Sequence, residues 1–369
     1  MQHDIAAGEG LRDTGLPGGP AQPGEPAQSG GLRERAGWVF RWETVLAVIV
    51  VIIFAAGTTA SPDFLTSYNL FNLGLSNGEI AIMALPMTLI IISGEIDLSV
   101  SSTLGMSSCL LGFLWERHWP MIAIFVVIGL VGLAAGAFNG LLITRLGLPS
   151  LAVTIGTLTL YAGVAQILLG PNTVADFPSA YTNLGVNAVP GTGGVVSYSA
   201  LIFVVLAVVF GVVLHATGVG RSIYAMGASS EAALFAGIRV KRVKTILFMI
   251  SGLVCSFAGV LYTFRLSTSV ANNGVGLELD VVAIVLVGGV SIFGGKGSVL
   301  GVVLGVLAFV GIQNVLLLTN FNQEASGIVA GGLLLVSVFL PNAAALWRWA
   351  AARYRLRAAS PRSQQSPAS

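Results

Sequence analysis

Two carboxylates, Glu95 and Asp97, stand two residues apart within ISGEIDLSVSSTLG (92–105), at the junction of two apolar runs. Paired acids at a membrane segment are what a proton-coupled carrier uses as a relay. The apolar stretches 121–143, 150–169, 199–216 and 298–318 hold no Asp or Glu that could continue one. Asp97 is expected instead to cap a helix starting at Leu98 by accepting from its free N–H groups. Glu95 is expected to snorkel or face water at the boundary, avoiding the roughly 2.5–3.5 kcal/mol of a mid-bilayer acid. The stretch GGKGS (294–298) invites a phosphate-loop reading. Such a loop needs Gly six residues before the Lys and Ser or Thr directly after it, and the chain has Val290 and Gly297 there. Gly294 and Gly295 fit a tight turn between helices, with Lys296 facing the cytoplasm.

Other chemistry is sparse. The chain has no H-E-x-x-H and no G-x-S-x-G, and His3, His118 and His215 are dispersed over tail and span edges. Cys109 and Cys255 fall inside apolar runs, as small buried hydrophobes do, and neither has a neighbour at metal-ligand spacing. No catalytic residue, no metal and no cofactor bound by this chain is expected.

The elements that hold these residues follow from composition. Of 369 residues, 55% are hydrophobic and 9% charged, with a mean hydropathy of +0.87; soluble domains carry about 25% charged residues. Too few polar groups exist to cover a globular surface, so lipid is the main solvent. The net charge of +2 and the lack of a basic face with interleaved aromatics exclude a nucleic-acid partner. Residues 1–40 form a Gly-, Pro- and Ser-rich tail that reads as disordered, and the first apolar run after Arg41 comes too late for a cleaved leader.

A spanning helix needs about 20 apolar residues. Ten candidates run near 44–60, 75–93, 98–115, 121–143, 150–169, 199–216, 244–264, 279–294, 298–318 and 325–341, within a membrane domain of 41–345. With both termini in the cytoplasm, all of the 18 Lys and Arg except Arg117 and Arg265 fall inside, as the positive-inside rule requires. The tail 346–369 is basic and cytoplasmic, and 171–198, with no Lys or Arg, is an external loop. The expected fold is thus an all-α integral membrane protein of about ten transmembrane helices. Gly132, Gly136 and Gly140, and Gly297, Gly301 and Gly305, space small residues for close helix packing, within the bundle or, alternatively, between two copies.

The loop 217–244, TGVGRSIYAMGASSEAALFAGIRVKRVK, carries the most information. Ser229 and Ser230 precede Glu231, Ala232 and Ala233, and Gly237 supplies a stop, giving a helix of about two turns outside the membrane. A rigid knob of this kind would receive force from a soluble motor; the same stretch also fits an ordinary positive-inside loop with a helical turn.

EAALFAG (231–237) matches the E-A-A-x-x-x-G core of the coupling loop in bacterial ABC-importer permeases. The surrounding GRSIYAMGASSEAALFAGIRVKRVK resembles the sugar-type, binding-protein-dependent branch, the ribose, xylose, autoinducer-2 and rhamnose permeases. ISGEIDLSVSSTLG resembles that branch's cytoplasmic GGIDLSVG segment, and VLVGGVSIFGGKGSVLGVVLG (285–305) its late Gly-rich turn. Two departures stand out: Glu95 replaces the usual Gly, and no I-x-L-P follows Gly237.

The resemblance implies a multi-pass permease subunit in the bacterial inner membrane, importing a small sugar or sugar-like solute. It implies a second permease chain, identical or paralogous, a separate ATPase subunit that carries ATP and Mg, and an extracytoplasmic solute-binding protein. Glu231, Ala232, Ala233 and Gly237 would couple to the ATPase, with Arg239, Lys241 and Arg242 assisting. Arg117 and Arg265, the two basic residues outside, are candidates for docking the binding protein or, equally, anchors of helix ends. The segment 269–298 leans toward rhamnose- and autoinducer-2-type solutes. An ion-coupled secondary carrier for a small polar solute is the alternative.

Overall fold

The computed structural model describes residues 31–321 together with 327–329, 331–333 and 335. The chain divides into two units, up to Trp38 and from Val39 onward; the described part of the first, from Gly31, is helical. The helices are α1 (Gly31–Ala60), α2 (Ser67–Ile92), α3 (Val100–Trp115), α4 (Met121–Arg145), α5 (Ser150–Leu169), α6 (Ser179–Val186), α7 (Tyr198–Ala216), α8 (Gly218–Ala228), α9 (Ser230–Phe235), α10 (Val240–Leu266), α11 (Leu277–Val287) and α12 (Val299–Leu318). Among the described residues there are only isolated β-bridges and no strands.

Seven helices among the described residues are long and apolar enough to cross a membrane: Trp42–Ala60 within α1, and α2, α4, α5, α7, α10 and α12. The all-α membrane reading holds; the count of ten does not follow. The expected spans at 98–115 and 279–294 are helices of only 16 and 11 residues. The expected span 325–341, the tail 346–369 and residues 1–30 of the expected tail 1–40 lie wholly or mostly outside the described residues; residues 31–40 of that tail are helical, as the start of α1. Helix starts are set by side chains that accept first-turn N–H groups, among them Thr66, Ser197, Ser229 and Ser298, each satisfying a donor the helix itself cannot.

α2 and α10 are the buried pillars, and α4 lies along α10. Gly132 and Gly136 touch the α10 backbone at Gly252 and Phe248, and Gly140 meets Thr245. Thr144 and Thr245 share a 3.0 Å hydrogen bond at the end of that seam. The small residues expected to allow close packing therefore act within the bundle.

The two short helices are halves of broken spans, and α10 serves as a ruler for their depth. Along it, Lys244 meets Glu95, Ser251 meets Asp97, Gly259 packs on Leu104 and Thr263 bonds Ser108. The α2–α3 connection therefore descends into the bundle as non-helical backbone before α3 begins. From the opposite end, the chain turns at Ser267, in the left-handed region with φ 53°, and residues 269–276 run down the side of α3. Ser269 and Asn273 bond Ser108, the Cβ that Gly105 lacks would meet the Asn273 carbonyl at 2.5 Å, and Glu278 accepts from Ser101. Only then does α11 start, covering about 16 Å at 1.5 Å per residue, half of a core about 30 Å thick. Non-helical backbone at this depth is tolerated only when buried in protein or lining a watery cavity. The order long helix, non-helical stretch, short helix thus occurs twice, in opposite directions.

Candidate coupling site

α9 is a two-turn knob fixed at both ends. The Ser229 hydroxyl accepts from the Ala232 N–H at 3.2 Å. At the other end, the Ile238 N–H donates to Ala233 O and the Gly237 N–H to Leu234 O, both at 3.0 Å. This paired closure needs a left-handed residue, and Gly237 has φ 81°. A side chain there would cost about 1–2 kcal/mol. Ala233 is buried, whereas Glu231, Ala232, Leu234 and Phe235 are exposed, Leu234 by 62% and Phe235 by 91%. An alanine facing the bundle and two large apolar groups facing away make a surface that a partner can bury. Arg239, Lys241 and Arg242 are exposed beside it, so the knob has a basic rim.

The knob stands on a three-way backbone contact. Gly227, near the end of α8, lies where a Cβ would overlap the Ile92 carbonyl and the Gly295 amide. Those two groups are themselves hydrogen bonded at 2.8 Å, joining the α2–α3 turn to the α11–α12 turn. A Cβ on Gly294, which has φ 80°, would meet Gly227 O at 2.8 Å and Gly94 Cα at 3.0 Å. The three segments singled out in the sequence, around Glu95, Glu231 and Gly294–Gly295, therefore converge at one end of the bundle, with Lys296 exposed near the tip of its turn.

Side chains reinforce this junction. The Tyr224 hydroxyl of α8 donates to Gly297 O at 2.7 Å, and His215 Nε2 accepts from the Val299 N–H at 3.4 Å. Ser298 caps α12 through Gly301 N and donates to Glu43 of α1, and the Trp42 indole donates to Val287 O at 3.3 Å. The last Gly-rich turn is thus gripped by α1, α7 and α8.

The expected roles of the acid pair need correction. Glu95 does not face water: its carboxylate pairs with Lys244 Nζ at 2.5 Å, the two side chains being only 14% and 13% exposed. This pair accounts for a charge where Gly is usual, and it fastens the start of α10 to the α2–α3 turn. Asp97 does not cap a helix from Leu98, since α3 starts at Val100. Its Oδ1 accepts from the Ser99 N–H at 3.0 Å and hydroxyl at 2.6 Å, and its Oδ2 from the Ser251 hydroxyl at 3.1 Å. Asn139 of α4 then donates to the Ser99 hydroxyl. Asp97 is a buried cross-link between α3 and α10, because the segment carrying it re-enters the bundle. Breaking the Glu95–Lys244 pair should show coupling. Melting midpoints for Glu95→Gly, Lys244→Met and the double variant are expected to give an interaction energy of about 1–2 kcal/mol; strictly additive shifts would mean the pair is idle.

Arg117 and Arg265 lie at the opposite end. Arg117 is exposed, its guanidinium 3.4 Å above the Phe113 ring. Arg265 turns inward, pairing its Nε with Glu79 Oε1 of α2 at 3.2 Å; Glu79 is 1% exposed and its Oε2 has no hydrogen-bond partner among the described residues. Glu79, Gly227, Lys244, Leu234 and Phe235 escaped the sequence reading. For Glu79 the signal was present: an ionisable residue in an apolar run calls for a named partner. Gly227 carried none, since its role depends on chain segments far away in sequence.

A family profile described as branched-chain amino acid transport system / permease component matches residues 69–338. Among curated relatives, the L-arabinose ABC transporter permease protein of Azospirillum brasilense is 33% identical over 317 residues, covering 86% of this chain and 92% of its own length. The ribose import permease protein of Haemophilus influenzae is 30% identical, covering 80% and 91%. The autoinducer 2 import system permease protein of Escherichia coli K12 is 32% identical, covering 81% and 91%. No solved structure matches the chain. The resemblance carried by the coupling-loop motif is borne out, and the chain belongs to this family of ABC transport-system permease components.

Proposed function

We propose that this chain is the membrane-spanning subunit of an ATP-binding-cassette importer that carries a small sugar or sugar-like solute inward across the bacterial inner membrane. The observation that carries the reading is α9, an exposed two-turn knob whose base is wedged between two turns of the bundle. A force applied to Leu234 and Phe235 passes directly into the α2–α3 and α11–α12 turns, and from there into both broken spans. Rocking of rigid parts about a central site is the mechanical basis of alternating access.

In this proposal the α9 end is cytoplasmic, consistent with Arg145, Arg221, Arg239, Lys241, Arg242 and Lys244 clustering there. Both termini lie on that side, and ten spans cross the membrane. A separate ATPase holds ATP and Mg and seats α9 in a cleft, Glu231 and the basic rim contacting its walls. Two permease chains, identical or paralogous, flank one path, and an extracytoplasmic binding protein delivers solute, with Arg117 contributing to its docking; Arg265, held inward by Glu79, serves as an anchor of its helix end instead. The relatives' named solutes, L-arabinose, ribose and autoinducer 2, support a small hydroxylated cargo, and the segment 269–298 favours a rhamnose- or autoinducer-2-like one.

Purification in mild detergent tests the central claim. The wild-type chain should retain a stoichiometric ATPase. Phe235→Asp should reduce its retention at least tenfold, as expected for an apolar anchor worth 2 kcal/mol or more. Glu231→Lys should uncouple ATPase activity from uptake while leaving membrane insertion intact. Uptake by the wild-type chain alone, insensitive to ATP depletion, would instead identify an ion-coupled carrier.

A further inference from the structure

A cavity of about 240 Å³ lies between α3, α5 and the start of α11, its mainly apolar wall, which includes Leu158 and Val275, carrying Ser101, Ser102, Thr159, Asn273 and Glu278 as polar groups. A second, of about 440 Å³, lies toward the end remote from α9 and is lined by Gln166, Asn172, Thr173 and Asn272. Both share Ala271 and successive turns of α5, so they follow one line down the bundle. The inner one sits at half depth: Thr159 is midway along α5, and Ser101 and Glu278 begin the two half-helices. Its wall includes residues 269–276, which pass from a bridge at Ser269 through successive turns and leave Asn272 and Val275 exposed, Val275 by 73%. Non-helical backbone at membrane depth is tolerated where it is buried in protein or lines a water-filled cavity.

We propose that residues 269–276, the outer half of α5 and the first turn of α11 line a polar passage for a neutral, hydroxyl-rich solute, with Gln166 and Asn272 at its outer station and Glu278 at its inner one. This rests on the permease reading above for the direction of transport. The chemistry of the lining selects the solute class. Carboxamides and hydroxyls both donate and accept, and Gln166 Nε2 already bonds Asn272 Oδ1 at 2.9 Å across the outer station. Glu278 only accepts, and Ser101 fixes it by donating to Oε2 at 2.6 Å. A carboxylate in a poorly screened cavity attracts hydroxyl donors and repels anions. Among hydroxylated solutes, neutral sugars and polyols fit this lining, and sugar phosphates and sugar acids do not. Glu278 is thus a specificity-determining residue, and its place in the first turn of α11 makes the inner station sensitive to movement of the turn on which Gly227 of α8 packs.

Cysteine accessibility tests the passage without knowledge of the solute. Thr159→Cys, Asn272→Cys and, as a lipid-facing control, Val208→Cys of α7 are each made in the full chain, assembled with its partners in right-side-out membrane vesicles. They are treated with the cationic trimethylammonium-ethyl and the anionic sulfonato-ethyl methanethiosulfonate. The native thiols Cys109 and Cys255 are buried and provide the baseline. Thr159→Cys and Asn272→Cys are expected to react at least tenfold faster than Val208→Cys. At Thr159→Cys the cationic reagent should be favoured about tenfold over the anionic one, and Glu278→Gln should bring that ratio close to one. Equal rates at Thr159→Cys and Val208→Cys, or a charge ratio unmoved by Glu278→Gln, would overturn the assignment. The outcome is separable from the ATPase pull-down: labelling without an ATPase partner would place the same passage in another type of carrier, and an ATPase partner without labelling would leave the permease reading intact.

Discussion

Replacing Gly227 by alanine is expected to abolish solute uptake by the assembled importer and to lower the melting midpoint of the chain. Gly227 has ordinary helical backbone within α8, so the substitution brings no conformational strain of its own and should slightly favour the helix. The effect arises from space alone. The new methyl would occupy the position of the Gly295 N–H···O=C Ile92 bond. Either that bond opens, leaving two buried polar groups unpaired at about 1–3 kcal/mol each, or α8 retreats from both turns. Either way the base of α9 separates from the turns on which it packs, and we expect a loss of about 3 kcal/mol or more. Gly218→Ala in the same helix is the control. Its Cβ would find only the Arg221 guanidinium, at 3.6 Å, and both stability and uptake should be unchanged. Wild-type uptake by Gly227→Ala would show that the three-way contact has no part in coupling.

The second large effect is expected at Arg265. Arg265→Ala leaves the Glu79 carboxylate buried without its cation, and breaking one side of a buried pair costs about 3–5 kcal/mol. Most of the chain should then fail to reach the folded state in detergent, read as loss of a monodisperse peak and of a cooperative melt. The double variant Glu79→Gln with Arg265→Met should recover much of this, because two groups of similar shape without charge need no mutual compensation. If the double variant is as damaged as the single one, Arg265 acts through something other than Glu79.

Much of the architecture was legible because lipid imposes a simple code: long apolar runs, with basic residues between alternate ones. The knob was legible too, since Ser229, the EAALF run and Gly237 form a local start and stop. The broken spans were not. The residues 98–115 and 279–294 are apolar enough to read as ordinary crossings, and where the helices begin is decided by distant partners: Ser251 for Asp97, Ser101 for Glu278, Ser108 for Asn273. The same holds at the coupling end. The motif residues could be read one by one, but Gly227 and Lys244 acquire meaning only once residues 92–95 and 294–295 are brought beside them. Periodicity reports on a residue's neighbours along the chain, and these contacts are made between segments far apart in it.

The non-helical segment 269–276 alongside α3 also constrains how the protein is made. α3 leaves the ribosome with its small-residue groove, Gly105, Ser108 and Gly112, uncovered, and the backbone that fills the groove is encoded 165 residues after Ser108 at Asn273. At synthesis rates of about 5–20 residues per second, the groove stays open to lipid or to a chaperone for on the order of ten seconds. Neither half-helix is long enough to hold itself across the bilayer, so nascent chains ending before residue 269 should be selectively sensitive to membrane proteases. Synthesis of residues 269–273, more than completion of any long helix, supplies the partners that α3 lacks until then.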